Sequence, residues 1–168
     1  DSSSIRSSIV SHAKTLGYEV ASVRAAKAEV DVTLFDSVKS TGTIPAGTVF
    51  TASVDSTNFQ FVTITDYTES NTGSQISFAN IPIYEGTFVS TRYTVDTSTA
   101  DQRFIITDNR ADTSTLTVKV QTSSGNTTVT SFTEATDITQ LTSTSNVYFL
   151  QEVESAKFEV YFGDGIIG

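Results

Sequence analysis

Val147-Tyr148-Phe149-Leu150-Gln151-Glu152-Val153 and, four residues on, Phe158-Glu159-Val160-Tyr161-Phe162-Gly163-Asp164-Gly165-Ile166-Ile167 form the stretch whose reading decides the fold. The gap, Glu154-Ser155-Ala156-Lys157, has the length and polarity of a hairpin connection. Two-residue periodicity puts Phe158, Val160 and Phe162 on one side of the second run, and Glu159 and Tyr161 on the other. The alternation halts at Gly163-Asp164-Gly165. Two glycines there tolerate positive φ and the aspartate can bond its own backbone, so a glycine-bounded acidic turn is predicted to end the strand pair.

Working upstream, the same period recurs. Leu116, Val118 and Val120 alternate with Thr115, Thr117 and Lys119, turn at Ser124-Gly125-Asn126 and return through Thr127–Phe132. Phe104–Ile106 and Thr87–Val95 read as further strands, the two separated by polar residues 96–103, the weakest seam in the chain. Ile81-Pro82-Ile83 follows the short run Ile76–Phe78, and its proline predicts an edge or a strand start. Phe59–Thr65 is apolar on both faces, which suits a central strand. Gly42-Thr43-Ile44-Pro45-Ala46-Gly47 reads as a turn leading into Thr48–Val54.

Residues 24–29 (Arg24, Ala25, Ala26, Lys27, Ala28, Glu29) favour helix by propensity. However, Ala26, Ala28, Val30, Val32 and Leu34 alternate strictly with polar residues, and the period predicts a half-buried strand. A helix is expected only at the start, where Ile5, Ile9, Ala13 and Leu16 form an apolar stripe after Ser2-Ser3-Ser4 and before Gly17. At about three turns it is too short to stand alone, so Ile5, Ile9 and Leu16 are expected to dock on something. The expectation is a mainly β (α+β), antiparallel, sandwich-like domain over 18–168, with the 1–17 helix packed on it.

Composition agrees. Ser and Thr number 52 of 168 residues, a bias toward strands and turns, while Phe, Tyr, Val and Ile recur in every segment and argue against disorder. The net charge of −9 disfavours nucleic acid and anionic membranes, which would repel the chain. No apolar run approaches the roughly 18 residues of a membrane span. There is no Cys, which removes disulfides and thiolate metal sites, and no Met, so residue 1 is expected not to be the native start and the chain to be a fragment or a processed one.

Candidate chemistry is sparse. His12 is the only imidazole, sits in the predicted helix and has no serine elbow near it, so a nucleophilic triad and a His-ligated metal are both disfavoured. Asp108-Asn109-Arg110-Ala111-Asp112 has the oxygen content of a calcium loop but lacks the glycine and distant glutamate of an EF-hand, and an Asx turn explains it better. Asp164 as a catalytic acid would need a second carboxylate facing it, and nothing fixes Glu152, Glu154 or Glu159 there. Neither a catalytic set nor a cofactor fingerprint emerges. A glycan-binding β-sandwich of a tail fibre or adhesin is the alternative, although the chain lacks Trp.

Three regions together resemble the baseplate wedge subunit of T-even-type contractile-tailed bacteriophages, within the wider baseplate J-like family. They are Ile5–Val10 through Leu16-Gly17-Tyr18 into Ser22–Ala26; Ile44-Pro45-Ala46-Gly47-Thr48-Val49-Phe50; and Val147–Leu150 with Phe158–Gly165. The resemblance implies a structural role and, because family members are several times longer, an inner, C-terminally incomplete piece; the residues themselves give no reason to expect a cofactor or metal. The resemblance also implies partners among other wedge proteins and copies of itself, in a ring around the tail hub that rearranges on host attachment. Its structural-motif residues would be Ile44, Pro45, Gly47, Thr48, Phe50, Phe162, Gly163, Asp164 and Gly165.

Overall fold

Alternating and doubly apolar runs can be buried only by pairing, and the computed structural model shows how they pair. It describes residues 6–18, 20–137, 139, 141–153 and 155–163. The chain divides into two compact units: an inserted unit, residues 25–92, and a flanking unit made of residues 1–24 with 93–168.

In the inserted unit, β1 (Lys27–Leu34) half-buries Ala28, Val30 and Val32 and exposes the polar residues between them, as its period requires. The strands β2 (Thr41–Ile44), β3 (Val49–Val54), β4 (Thr57–Val62), β5 (Tyr67–Ser70) and β6 (Ile76–Glu85) follow. A four-stranded antiparallel sheet has the order β1-β6-β4-β3, and β2 pairs with β5 separately. Ile44, Ile76, Phe78, Ile81 and Ile83 form the core, with Val30, Val32, Phe50, Phe61 and Tyr67 packed against it. A Cβ at Gly42 would lie 3.0 Å from Ile76 Cδ1, so β2 packs closely on this core at residue 42 and a side chain there would push against the Ile76 tip.

The strand expected at Ile81-Pro82-Ile83 is not at an edge. Pro82 lies within β6, between β1 and β4. The Glu85 amide bonds the Ala26 carbonyl and the Gly86 amide bonds the Gln60 carbonyl, so in the part of β6 beyond the register shift, residues 81–85, odd-numbered residues face β1 and even-numbered ones face β4. Pro82 therefore faces the β4 side, beyond the last β4–β6 pair at Tyr84, where no ladder donor is needed. The strand expected at Thr87–Val95 does not form; the described backbone there is irregular, with Val89 and Val95 exposed. Its β propensity is real, but none of the described strands pairs with it, and it carries the chain from one unit to the other.

In the flanking unit, α1 (Arg6–Thr15) ends as expected: Gly17 adopts φ +80° and the Tyr18 amide bonds the Ala13 carbonyl at 3.0 Å, a Schellman closure. The strands β7 (Arg103–Ile106), β8 (Val118–Gln121), β9 (Val129–Glu134), β10 (Val147–Glu152) and β11 (Phe158–Tyr161) build a five-stranded sheet in the order β7-β11-β10-β9-β8. The closing hairpin β10–β11 is antiparallel, with Ser155 and Ala156 at positive φ in its connection. β9 and β10 pair in parallel, Val147 opposite Thr133 and Tyr148 opposite Glu134; residues 135–146 give the chain the dozen positions such a crossover needs. Val147, Tyr148, Phe158 and Val160 are buried. One row of rings spans the sheet, Tyr93–Phe104–Phe162–Phe132, with successive centroids 5.4, 5.9 and 5.5 Å apart.

Candidate interaction site

The motif residues fall on different units. Ile44 is a core residue of the inserted unit, and Pro45, Ala46, Gly47 and Thr48 make a turn in which the Thr48 amide bonds the Pro45 carbonyl at 3.2 Å with Gly47 at φ +82°. Only glycine takes that type II position without strain, and a Cβ there would also press within 3.3 Å of the Phe88 ring. Phe50, two residues on, packs against the core.

The turn is held by a residue the motif does not contain. Thr63 is 0% exposed. Its hydroxyl donates to the Pro45 carbonyl at 2.8 Å and accepts from the Thr48 amide at 3.1 Å, while its backbone bonds Gly47 and Thr48. Asp66 adds a fifth bond by accepting from the Ala46 amide at 2.8 Å. Sequence reasoning missed both, because in a threonine-rich chain no single threonine stands out.

In the flanking unit, Phe162 sits in the ring row, and Gly163 follows β11. Asp164 and Gly165, like Ile5, lie outside the described residues. The opposite face of β11 is polar as well as aromatic. Glu159 is buried and meets Arg103 Nη1 at 2.7 Å; the Gln151 amide nitrogen also donates to it. The Arg103 guanidinium lies 4.5 Å over the Tyr161 ring, which stacks on Phe149 at 5.2 Å. Cross-strand register puts Arg103, Tyr161 and Phe149 side by side. Glu152 is also buried and accepts from the Ala156 amide at 3.0 Å, fastening the hairpin connection. Both carboxylates thus have structural partners within the hairpin.

Elsewhere the carboxylates close local turns. Asp108 accepts from the Arg110 amide and pairs with its guanidinium at 3.0 Å; these contacts hold its carboxyl below the usual range. Asp112 accepts from the Ser114 amide at 3.0 Å. The Asx-turn reading of residues 108–112 accounts for this geometry. Among the described residues, no group of three or more His, Asp or Glu side chains is placed to hold a metal ion.

What the surface offers is apolar. Ile9 is 53% and Leu16 75% exposed, so the helical stripe faces solvent along much of its length. In the inserted unit, the loop after β1 presents Phe35 at 73% and Val38 at 100% exposure. That loop is pinned: the Asn71 side-chain amide donates to the carbonyls of Ser37 and Lys39, each at 2.8 Å, and the Ser37 amide bonds Ser74.

No curated protein matches the chain. A family model does: that of the bacteriophage baseplate wedge protein gp6, third domain, over residues 88–168. The match runs through β7 to β11 and includes the closing hairpin. The segment that decides the fold thus lies within a stretch, residues 88–168, that matches the third domain of the bacteriophage baseplate wedge protein gp6, consistent with a baseplate wedge subunit.

Proposed function

We propose that the chain is a structural element of a contractile-tail baseplate, joining wedges into the ring around the hub and taking part in the rearrangement that follows host attachment. The match of residues 88–168 to the gp6 third domain carries this reading. Supporting it, the buried carboxylates are engaged in structural bonds, and apolar side chains stand exposed at Ile9, Leu16, Phe35 and Val38. Its partners are other wedge proteins and copies of itself, met during assembly in the host cytoplasm. The acidic chain is a poor ligand for nucleic acid or anionic lipid.

The test is incorporation. Purified tails should contain the subunit in stoichiometric amount by quantitative mass spectrometry. Ile9→Asp, at an exposed site, should reduce that incorporation at least about tenfold, the loss expected when a central apolar anchor is replaced by a charge. Absence of the subunit from tails, with retention of the free chain on a glycan array, would instead support a receptor-binding module.

A further inference from the structure

The two edges of the inserted unit's sheet are built differently. β1 carries Lys27, Glu29 and Asp31, and its pairing with β6 shifts register between Val30 and Val32, where the Asp31 carboxylate holds the Asn80 amide at 2.8 Å. Charge and a bulge are the usual devices that stop an edge from pairing. β3, at the other edge, has neither. Val49-Phe50-Thr51-Ala52-Ser53-Val54 is free of charge and proline, and it pairs with β4 through six consecutive positions without a shift. All but Phe50 are exposed.

The pairing fixes which backbone groups that edge displays. The Thr63 amide bonds the Thr48 carbonyl at 3.1 Å, and a two-residue turn, Asp55-Ser56, with φ 48° and 64°, joins Val54 to Thr57. Even-numbered residues of β3 therefore point their backbone groups at β4. Val49, Thr51 and Ser53 point theirs outward.

We infer that β3 pairs antiparallel with β3 of a second copy about a two-fold axis at Thr51. A two-fold axis normal to the sheet keeps the core faces of both copies on one side and sets Thr51 opposite Thr51 and Val49 opposite Ser53. These are the outward-facing residues, so about six backbone hydrogen bonds form. Phe50 lies beside Ala52 of the second copy on the core face, which extends the cover over a half-buried ring. Charge permits the same register: Asp55 meets Gly47, and no acidic pair is opposed, although each chain carries a net charge of −9. The result is a continuous eight-stranded sheet, β1-β6-β4-β3-β3-β4-β6-β1. This specifies the surface through which copies meet in the reading above and rests on that reading for its setting, but its geometry is independent of it.

The chain has no cysteine, so single-cysteine variants report pairing directly. In a hydrogen-bonded antiparallel pair the Cα atoms are about 5.5 Å apart, within disulfide reach. Under mild oxidation, Thr51→Cys should give a disulfide dimer and Thr33→Cys, on the blunted edge, should not. By sedimentation equilibrium the unmodified chain should show a concentration-dependent dimer. Thr51→Lys should weaken that dimer at least about tenfold, because it opposes two cations at the axis, and Thr33→Lys should leave it unchanged. A chain monomeric at every concentration, equal cross-linking of both cysteine variants, or an unaffected Thr51→Lys dimer would each overturn the proposal. If the subunit is nevertheless found in tails, the baseplate reading stands and only the strand pairing falls.

Discussion

At the scale of one residue, Thr63 shows what the sequence hides. Ile44, Pro45, Gly47, Thr48 and Phe50 are legible as a turn because proline and glycine declare backbone geometry. The hydroxyl that holds the turn belongs to one of 29 threonines, distinguished only by where the fold places it. Thr63→Val keeps the shape and deletes both side-chain bonds inside a fully buried site. That change should destabilise the protein by about 1–3 kcal/mol, the net contribution of two hydrogen bonds, with the Pro45 carbonyl and Thr48 amide left to bond each other. Thr63→Ser retains the hydroxyl and should cost less than about 1 kcal/mol for the lost methyl. Urea-unfolding midpoints of the two variants check this order, and equal losses would mean that the packing of the residue matters and its hydroxyl does not.

At the scale of elements, period and turn chemistry made most strands readable: β1 against its helical propensity, β3, β8 and the closing β10–β11 hairpin. The misreadings share a physical cause, since propensity is local and pairing is not. Pro82 is tolerated in a central strand because of parity and the place where β4 ends, and Thr87–Val95 has strand composition but no partner. The parallel β9–β10 pair was equally invisible, since nothing in either strand encodes its direction. The polar stretch 96–103 proves to be organised by its own side chains. Asp96 accepts from the Ser98 amide at 2.9 Å, the Ser98 hydroxyl at 2.6 Å and the Thr99 hydroxyl at 3.0 Å, and Gln102 bridges back to the Asp96 amide. The Ser98 hydroxyl, then the Ser98 amide and the Thr99 hydroxyl, lower the Asp96 pKa in the folded chain. With a folded value below the unfolded one, this loop's contribution is fully present above the ordinary aspartate pKa of about 4 and is lost as pH falls through the lowered value. Carboxyl-carbon NMR should therefore show Asp96 titrating below an unperturbed aspartate. In Asp96→Ala, melting temperature should fall less steeply on acidification than in the parent. Identical acid profiles would remove the loop's carboxylate from the account.

At the scale of the whole molecule, the division into units makes a prediction that composition could not. The inserted unit's core, Ile44, Ile76, Phe78, Ile81 and Ile83, draws its packing partners from within residues 25–92. The two ends of its sheet also meet: the Glu85 amide bonds the Ala26 carbonyl at 2.8 Å, and Lys27 lies opposite Tyr84. A unit whose entry and exit strands are neighbours can be removed without stretching the chain on either side. The flanking unit has its own tie between its two segments, since the Ser22 hydroxyl accepts from the Thr113 amide at 2.9 Å. The family match, residues 88–168, coincides with most of the flanking unit and leaves the inserted one almost untouched. Residues 25–92 expressed alone should therefore fold cooperatively, with dispersed amide resonances and a sigmoidal urea transition. The converse variant, with Arg24 joined to Tyr93 by a short Gly-Ser linker, should keep its five-stranded sheet, and Ser22→Ala should destabilise it by about 1 kcal/mol through the lost tie to Thr113. If 25–92 is unfolded alone and the joined variant is unfolded too, the chain folds as one cooperative body and the two-unit division has no thermodynamic meaning. If only the inserted unit survives, the flanking sheet depends on it, and the gp6-like half would need its neighbour in order to form.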